Sequence, residues 1–187
     1  ENVTMNTLLA LFMTSLLHLI PAPVETIPQD GFFLFNGQTS LFFQEAALPL
    51  AREAAALFRE TIEPSTGIVI RNVKTRPLSN ALVFSYDQSL PPEGYTLLVT
   101  KDFTEIGAGD AAGFFYGTQT LLQLFPANVY QPVYQPDQYL PALQVKIPCV
   151  QIRDYPRFSH RGMMLDVSRQ FYTVEYVKRF IDWMSRH

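Results

Sequence analysis

The chain has 187 residues, 48% of them hydrophobic and only 17% charged, with a net charge of −3. That is enough to bury a domain-sized core; the absence of any Lys/Arg run argues against nucleic acid, and the absence of an acidic block excludes an acidic tail. Cys149 stands alone, which excludes an internal disulfide or thiolate cluster, and His18, His160 and His187 form no ligand pair, so no metal or organic cofactor is expected.

The chain opens apolar, from Met5 through Leu8 to Met13 and Leu16 to Ile20. Such a run suits the core of an export leader and is short for a membrane span. Residues 1–18 are therefore read as an apolar leader and the protein is expected to be secreted or periplasmic, with no stable membrane span. A buried element of the domain itself is the alternative. Gly31 to Phe35 and Thr39 to Phe43 read as strands joined at Asn36-Gly37, a hairpin signal. Glu45 to Ile62 reads as a helix, with Leu50, Ala54, Leu57, Phe58 and Ile62 at helical spacing. Pro49 suits its first turn, and Pro64 and Gly67 mark its end.

Four more strands follow at 68–73, 81–86, 95–100 and 103–108, separated by turn residues such as Pro91-Pro-Glu-Gly94. Gly107-Ala-Gly-Asp-Ala-Ala-Gly113 has the look of a dinucleotide-binding turn. Its third glycine comes one residue late and the flanking strands read as antiparallel, so a structural turn is expected. A helix from Asp110 to about Phe125 would be capped by the Asp110 side chain. Gly113 and Gly117 share a face of it, at a cost of about 1 kcal/mol each. Close packing of that face on a sheet is the expected compensation.

Pro126, Pro132, Pro136, Pro141 and Pro148 mark a connecting segment, with one short strand at 142–147 and a domain boundary after residue 148. Beyond it, His160 to Val167 is strand-like. Thr173 to His187 is an amphipathic helix with Val174, Val177, Ile181 and Met184 on its apolar side. One βα unit cannot cover its own apolar surface, so the sequence is expected to be cut inside a larger domain. Between these elements, Arg153-Asp-Tyr-Pro-Arg-Phe-Ser-His-Arg-Gly162 is the most polar cluster. It reads either as a solvated linker or, through Arg161 beside Gly162 and Met163, as a binding or network site. Asp166 and Arg169 end the same apolar run. They read equally as a rim ion pair or as residues serving an active site at the strand's carboxyl end.

Ile152 to Arg169, with Phe171 and Val174 to Asp182, closely resembles the barrel entry of glycoside hydrolase family 20, the β-N-acetylhexosaminidases and chitobiases. Leu19-Ile-Pro-Ala-Pro with Gly31 and Phe33 resembles the opening of that family's accessory domain, and Asp110 to Leu121 resembles its last helix. The resemblance implies an α+β accessory domain over 19–148, with an antiparallel-rich sheet and helices on one face. The first βα unit of a truncated (β/α)8 barrel would follow over 149–187.

The implied activity is exo-acting hydrolysis of terminal β-linked N-acetylglucosamine or N-acetylgalactosamine from glycans and oligosaccharides. It proceeds by substrate-assisted, retaining catalysis, an exception to the two-carboxylate scheme. Arg161 is implied to bind ring hydroxyls of the terminal sugar, with Asp166 and Arg169 as secondary site residues. The family's glutamic acid and its partner aspartate are expected beyond residue 187, so no catalytic residue is assigned. Glu175 and Trp183 fall on the outer helix. Gln170 stands where many relatives carry histidine. The competing reading is a non-catalytic glycan- or protein-binding accessory module of another carbohydrate-processing enzyme.

Overall fold

Phe33 and Phe35 are buried while Phe32 and Leu34 face outward, the period-two pattern of a strand covered on one side. The computed structural model describes residues 17–130 and 144–186. Its strands are β1 (Glu25–Phe35), β2 (Ser40–Phe43), β3 (Arg71–Val73), β4 (Ala81–Tyr86), β5 (Tyr95–Val99), β6 (Phe103–Ala108) and β7 (Val145–Asp154). Its helices are α1 (Leu48–Thr66), between β2 and β3, α2 (Ala111–Leu124), after β6, and α3 (Val174–Ser185). The chain divides into two compact units, one ending at Tyr155 and the other beginning at Pro156.

The seven strands form one sheet in the order β1-β7-β5-β6-β4-β2-β3. The β1-β7, β7-β5 and β5-β6 pairs are antiparallel, and the β6-β4, β4-β2 and β2-β3 pairs are parallel. The first unit is thus mixed α+β and not antiparallel-rich as expected. α1 is a crossover that returns β3 beside β2 in the same direction, which turn residues between strands do not reveal. β6 and β7, the strands flanking α2, each run antiparallel to β5. They therefore share a direction, contrary to the expectation for the strands around Gly107.

The Asn36-Gly37 hairpin is also corrected. β1 pairs with β7, and β2 pairs with β3 and β4. A type I′ hairpin needs positive φ at both central residues, and among the described residues positive φ occurs at Gly31, Gly67, Asn80 and Glu93. Instead the Asn36 carbonyl accepts the Thr39 N–H at 2.9 Å and its Oδ1 accepts the Gln38 N–H at 2.8 Å. This is an Asx turn, which directs the chain without pairing its flanks.

Both helices of the first unit share one core with the sheet. Phe58 of α1 meets Phe35 edge-on at 6.1 Å, and Phe114 of α2 lies 5.8 Å from Phe84. Pro49 sits in the first turn of α1, and Gly67 ends it in a left-handed conformation, its N–H on the Glu63 carbonyl. α2 is capped by Asp110, whose carboxylate accepts the Gly113 N–H at 2.7 Å. The two helix glycines do what their spacing predicts. A Cβ on Gly113 would lie 2.3 Å from the Gly94 carbonyl oxygen, and one on Gly117 would lie 2.7 Å from Ile106.

Residues 145–147 of the short strand expected at 142–147 begin a longer one, and 142–143 lie outside the described residues. β7 runs through Pro148, so the boundary placed after residue 148 falls inside a strand. Proline is tolerated there because β5 pairs only with Val150–Asp154, leaving β1 as the sole neighbour at Pro148. In the second unit α3 forms as expected, but His160 to Val167 takes no strand conformation. A strand needs partners for its N–H and C=O groups, and among the described residues of that unit there is no other strand.

Candidate functional site

The site residues lie just past the end of β7. Ile152 is buried, and the chain turns out of the sheet at Asp154. The Asp154 carboxylate takes two donors from distant parts of the chain: the Val24 N–H at 3.1 Å and the Tyr95 hydroxyl at 3.3 Å. Tyr95 is almost wholly buried, and its hydroxyl also lies 2.6 Å from Thr120 of α2. Burial pushes the Tyr95 hydroxyl well above the ordinary tyrosine range; the Thr120 hydrogen bond opposes the rise, and the Asp154 carboxylate adds to it. The polar cluster is therefore partly anchored. Asp154 belongs to the first unit and ties the end of the sheet to α2 and to the chain's opening segment.

Beyond Pro156 most of the described residues are exposed and none is buried. The Arg157 guanidinium sits 5.5 Å over the Phe158 ring, and Arg161 Nη1 donates to the Phe158 carbonyl at 2.7 Å. Met163, Met164, Val167 and Phe171 are exposed, Phe171 at 91%. An ideal Cβ at Gly162 would have only His160 Nε2 nearby, at 3.9 Å.

The structure brings Asp166 and Arg169 together. Asp166 Oδ1 accepts the Ser168 N–H at 3.0 Å, the Ser168 hydroxyl at 2.8 Å and the Arg169 N–H at 3.2 Å. Its Oδ2 lies 3.5 Å from Arg169 Nε. The Ser168 hydroxyl and the two backbone amides hold the Asp166 carboxyl below its usual range. The result is an ionised carboxylate at the head of a tight turn, with an arginine whose side chain is 90% exposed. A planar guanidinium so presented offers several donors to a hydroxylated ligand. Tyr172 stacks on Tyr176 just beyond, with ring centroids 4.5 Å apart.

Among the described residues no group of three or more His, Cys, Asp or Glu side chains could hold a metal ion. No helix among them is long and apolar enough to cross a membrane. The Tyr95–Thr120–Asp154 cluster was not visible in the sequence: Asp154 stood out as polar, but nothing local marks Tyr95 as the group it meets.

The chain matches the family model described as glycosyl hydrolase family 20, domain 2, over residues 16–155, and that family's catalytic-domain model over residues 158–187. It is 36% identical over 172 residues to a β-hexosaminidase of Porphyromonas gingivalis, covering 90% of this chain and 21% of that protein. A Vibrio vulnificus β-hexosaminidase is 32% identical, with 91% of this chain and 17% of the relative covered. The chain thus spans about a fifth of the length of these curated relatives. Among solved structures, the Streptomyces coelicolor β-N-acetylhexosaminidase superposes with a TM-score of 0.76 at 31% identity, covering 90% of this chain and 32% of that one. An exo-β-N-acetylglucosaminidase of Vibrio harveyi, solved with N-acetylglucosamine, gives 0.72 at 28% identity over 90% of this chain and 24% of its own.

Proposed function

We propose an activity on one premise: the chain belongs to glycoside hydrolase family 20. It is the leading portion of an exo-acting β-N-acetylhexosaminidase that removes terminal β-linked N-acetylglucosamine or N-acetylgalactosamine from glycans and oligosaccharides. The first unit is the accessory domain. Residues 156–187 open a (β/α)8 catalytic barrel, in which His160 to Val167 becomes the first strand once it has neighbours on both sides. The observation that carries this is the match of residues 158–187 to the catalytic-domain model, directly after the match of residues 16–155 to domain 2 of the same family. The exposed apolar side chains around Met164 and Phe171 support it, because a patch of that kind awaits a covering partner.

In this reading Arg161 grips ring hydroxyls of the terminal sugar. The Asp166–Arg169 turn frames the rim of the same pocket. The bond-breaking groups, a general-acid glutamate and an aspartate that orients the substrate's own acetamido oxygen, come from the remainder of the barrel. Export to the periplasm or cell exterior fits substrates of this class.

Arg161→Ala in the complete protein is expected to lower kcat/KM for an aryl β-N-acetylglucosaminide by about 100-fold or more, as loss of a charge-assisted contact that tightens in the transition state does. Arg161→Lys should recover only part of this, because it supplies the charge without the fork. Near wild-type kinetics for Arg161→Ala move that residue to a structural role. Absence of hexosaminidase turnover in the complete wild-type protein overturns the activity itself.

A further inference from the structure

We propose that Asn36 is a latent deamidation site, held closed by the Asn36–Thr39–Asn80 network and released when that turn opens. The sequence sets the chemistry. Asn36 precedes Gly37, and glycine has no Cβ to shield its amide nitrogen. That nitrogen, giving its proton to water, attacks Cγ of the Asn36 side chain. The N–Cγ bond forms, the Cγ–Nδ2 bond breaks, and Nδ2 leaves as ammonia. Water then opens the cyclic imide at either carbonyl. The products are aspartate and isoaspartate, and each carries a negative charge that Asn36 lacks.

Gly37 offers no resistance. It is exposed, and an ideal Cβ built on it would meet nothing within 4 Å. The reaction is checked at the Asn36 side chain, where both polar atoms are engaged. Oδ1 accepts the Gln38 N–H at 2.8 Å and an Asn80 Nδ2–H at 3.1 Å. Nδ2 donates to the Leu34 carbonyl at 3.0 Å. Thr39, only 2% exposed, locks the arrangement. Its hydroxyl accepts the Asn36 N–H at 3.0 Å and donates to Asn80 Oδ1 at 2.6 Å. Asn80 is fixed in turn: its backbone is left-handed, with φ 52°, and its carbonyl accepts the Ser40 N–H at 3.1 Å. Closing the imide swings Cγ onto the Gly37 nitrogen and takes Oδ1 and Nδ2 off these partners. The reaction therefore draws on the fraction of molecules in which the turn is open. Reclosing does not undo it. Neither acid has an N–H for the Leu34 carbonyl. Isoaspartate also lengthens the main chain between Phe35 and Gly37, while β1 and β2 stay paired to different strands. The site thus records openings of the β1–β2 turn as permanent charge.

The test incubates the complete protein in mildly alkaline buffer, either folded or unfolded in guanidinium chloride. Mass spectrometry of the peptide carrying Asn36 follows the gain that turns an amide into an acid. Conversion is expected to be about tenfold slower, or more, in the folded protein. Thr39→Val, which loses the hydroxyl, should raise the folded-state rate about fivefold, the change in open population that losing modest hydrogen bonds brings. Thr39→Ser should restore the parent rate. Asn80→Gly, which keeps the left-handed backbone without the side chain, should act in the same direction as Thr39→Val. Melting curves establish that each variant is read below its unfolding transition. Gly37→Ala should slow conversion even in the unfolded chain, because a methyl group then shields the attacking nitrogen. Equal rates in the folded and unfolded parent, or folded Thr39→Val and Asn80→Gly variants that convert no faster than the parent, overturn the proposal. None of these readouts depends on hydrolase activity.

Discussion

The two compact units carry equally legible helices with opposite fates. α2 buries Phe114, Thr118, Leu121 and Leu122. α3 has a cleaner division between apolar and charged sides, is capped by the Thr173 hydroxyl on the Tyr176 N–H at 3.2 Å, and buries none of its residues. The difference lies in what stands opposite. α2 faces strands that present Tyr95, Ile106 and Phe84, whereas α3 has nothing comparable within its own unit. Amphipathic spacing specifies which side of a helix is to be covered; only the rest of the fold supplies the cover.

Matched substitutions in the two units put that contrast at risk. Phe35→Ala, at a residue 1% exposed among Phe58 and Phe125, should cost about 3–5 kcal/mol in urea unfolding. Phe171→Ala in this 187-residue chain should stay within about 0.5 kcal/mol. Equal losses at the two positions would erase the distinction. Gly113→Ala should cost about 2–3 kcal/mol, since its Cβ would press on the Gly94 backbone. Gly37→Ala, with open space around it, should be near neutral.

A third probe is pH. Folding raises the Tyr95 pKa, so its contribution to stability is fully present below the unfolded value of 10.0. Above that value the unfolded state ionises first, and stability should fall as pH climbs toward the folded pKa. Thermal melts across this range should slope downward for the parent and less so for Tyr95→Phe. The smallest effect is expected at Asp166. Its pKa is lowered, so the turn it heads holds above the usual carboxylate range and is lost as pH falls through the folded value. Amide shifts of Ser168 and Arg169 should report that titration while the unfolding midpoint of the first unit stays put. A coupled change in the midpoint would show that the turn supports more than itself.

Much of this was readable from residues that act locally. Asp110 bounds its helix through its carboxylate and Gly67 through the left-handed conformation that the lack of a Cβ permits, and the Gly113–Gly117 spacing correctly announced a close approach to the sheet. Strand pairing was not readable, because it depends on partners far away in sequence. Asn36-Gly37 has the composition of a hairpin, but β1 takes its partner from residues 145–153. Pro148 looked like a break because the sequence does not show that β5 stops short of it. At the site, Arg161, Asp166 and Arg169 stood out because charge beside apolar runs is conspicuous. The Tyr95–Asp154 bond did not, since a tyrosine in a strand gives no sign of where its hydroxyl ends.

The position of β7 has a consequence for synthesis. This strand lies between β1 and β5, yet it is made last of the seven. While a ribosome adds roughly 5–20 residues each second, β1 waits for several seconds with the hydrogen-bonding edge that β7 will take unpaired, and an unpaired edge in that interval is open to mispairing. The β1-β7 and β5-β7 pairings therefore form last, after the local β5-β6 pair is already available.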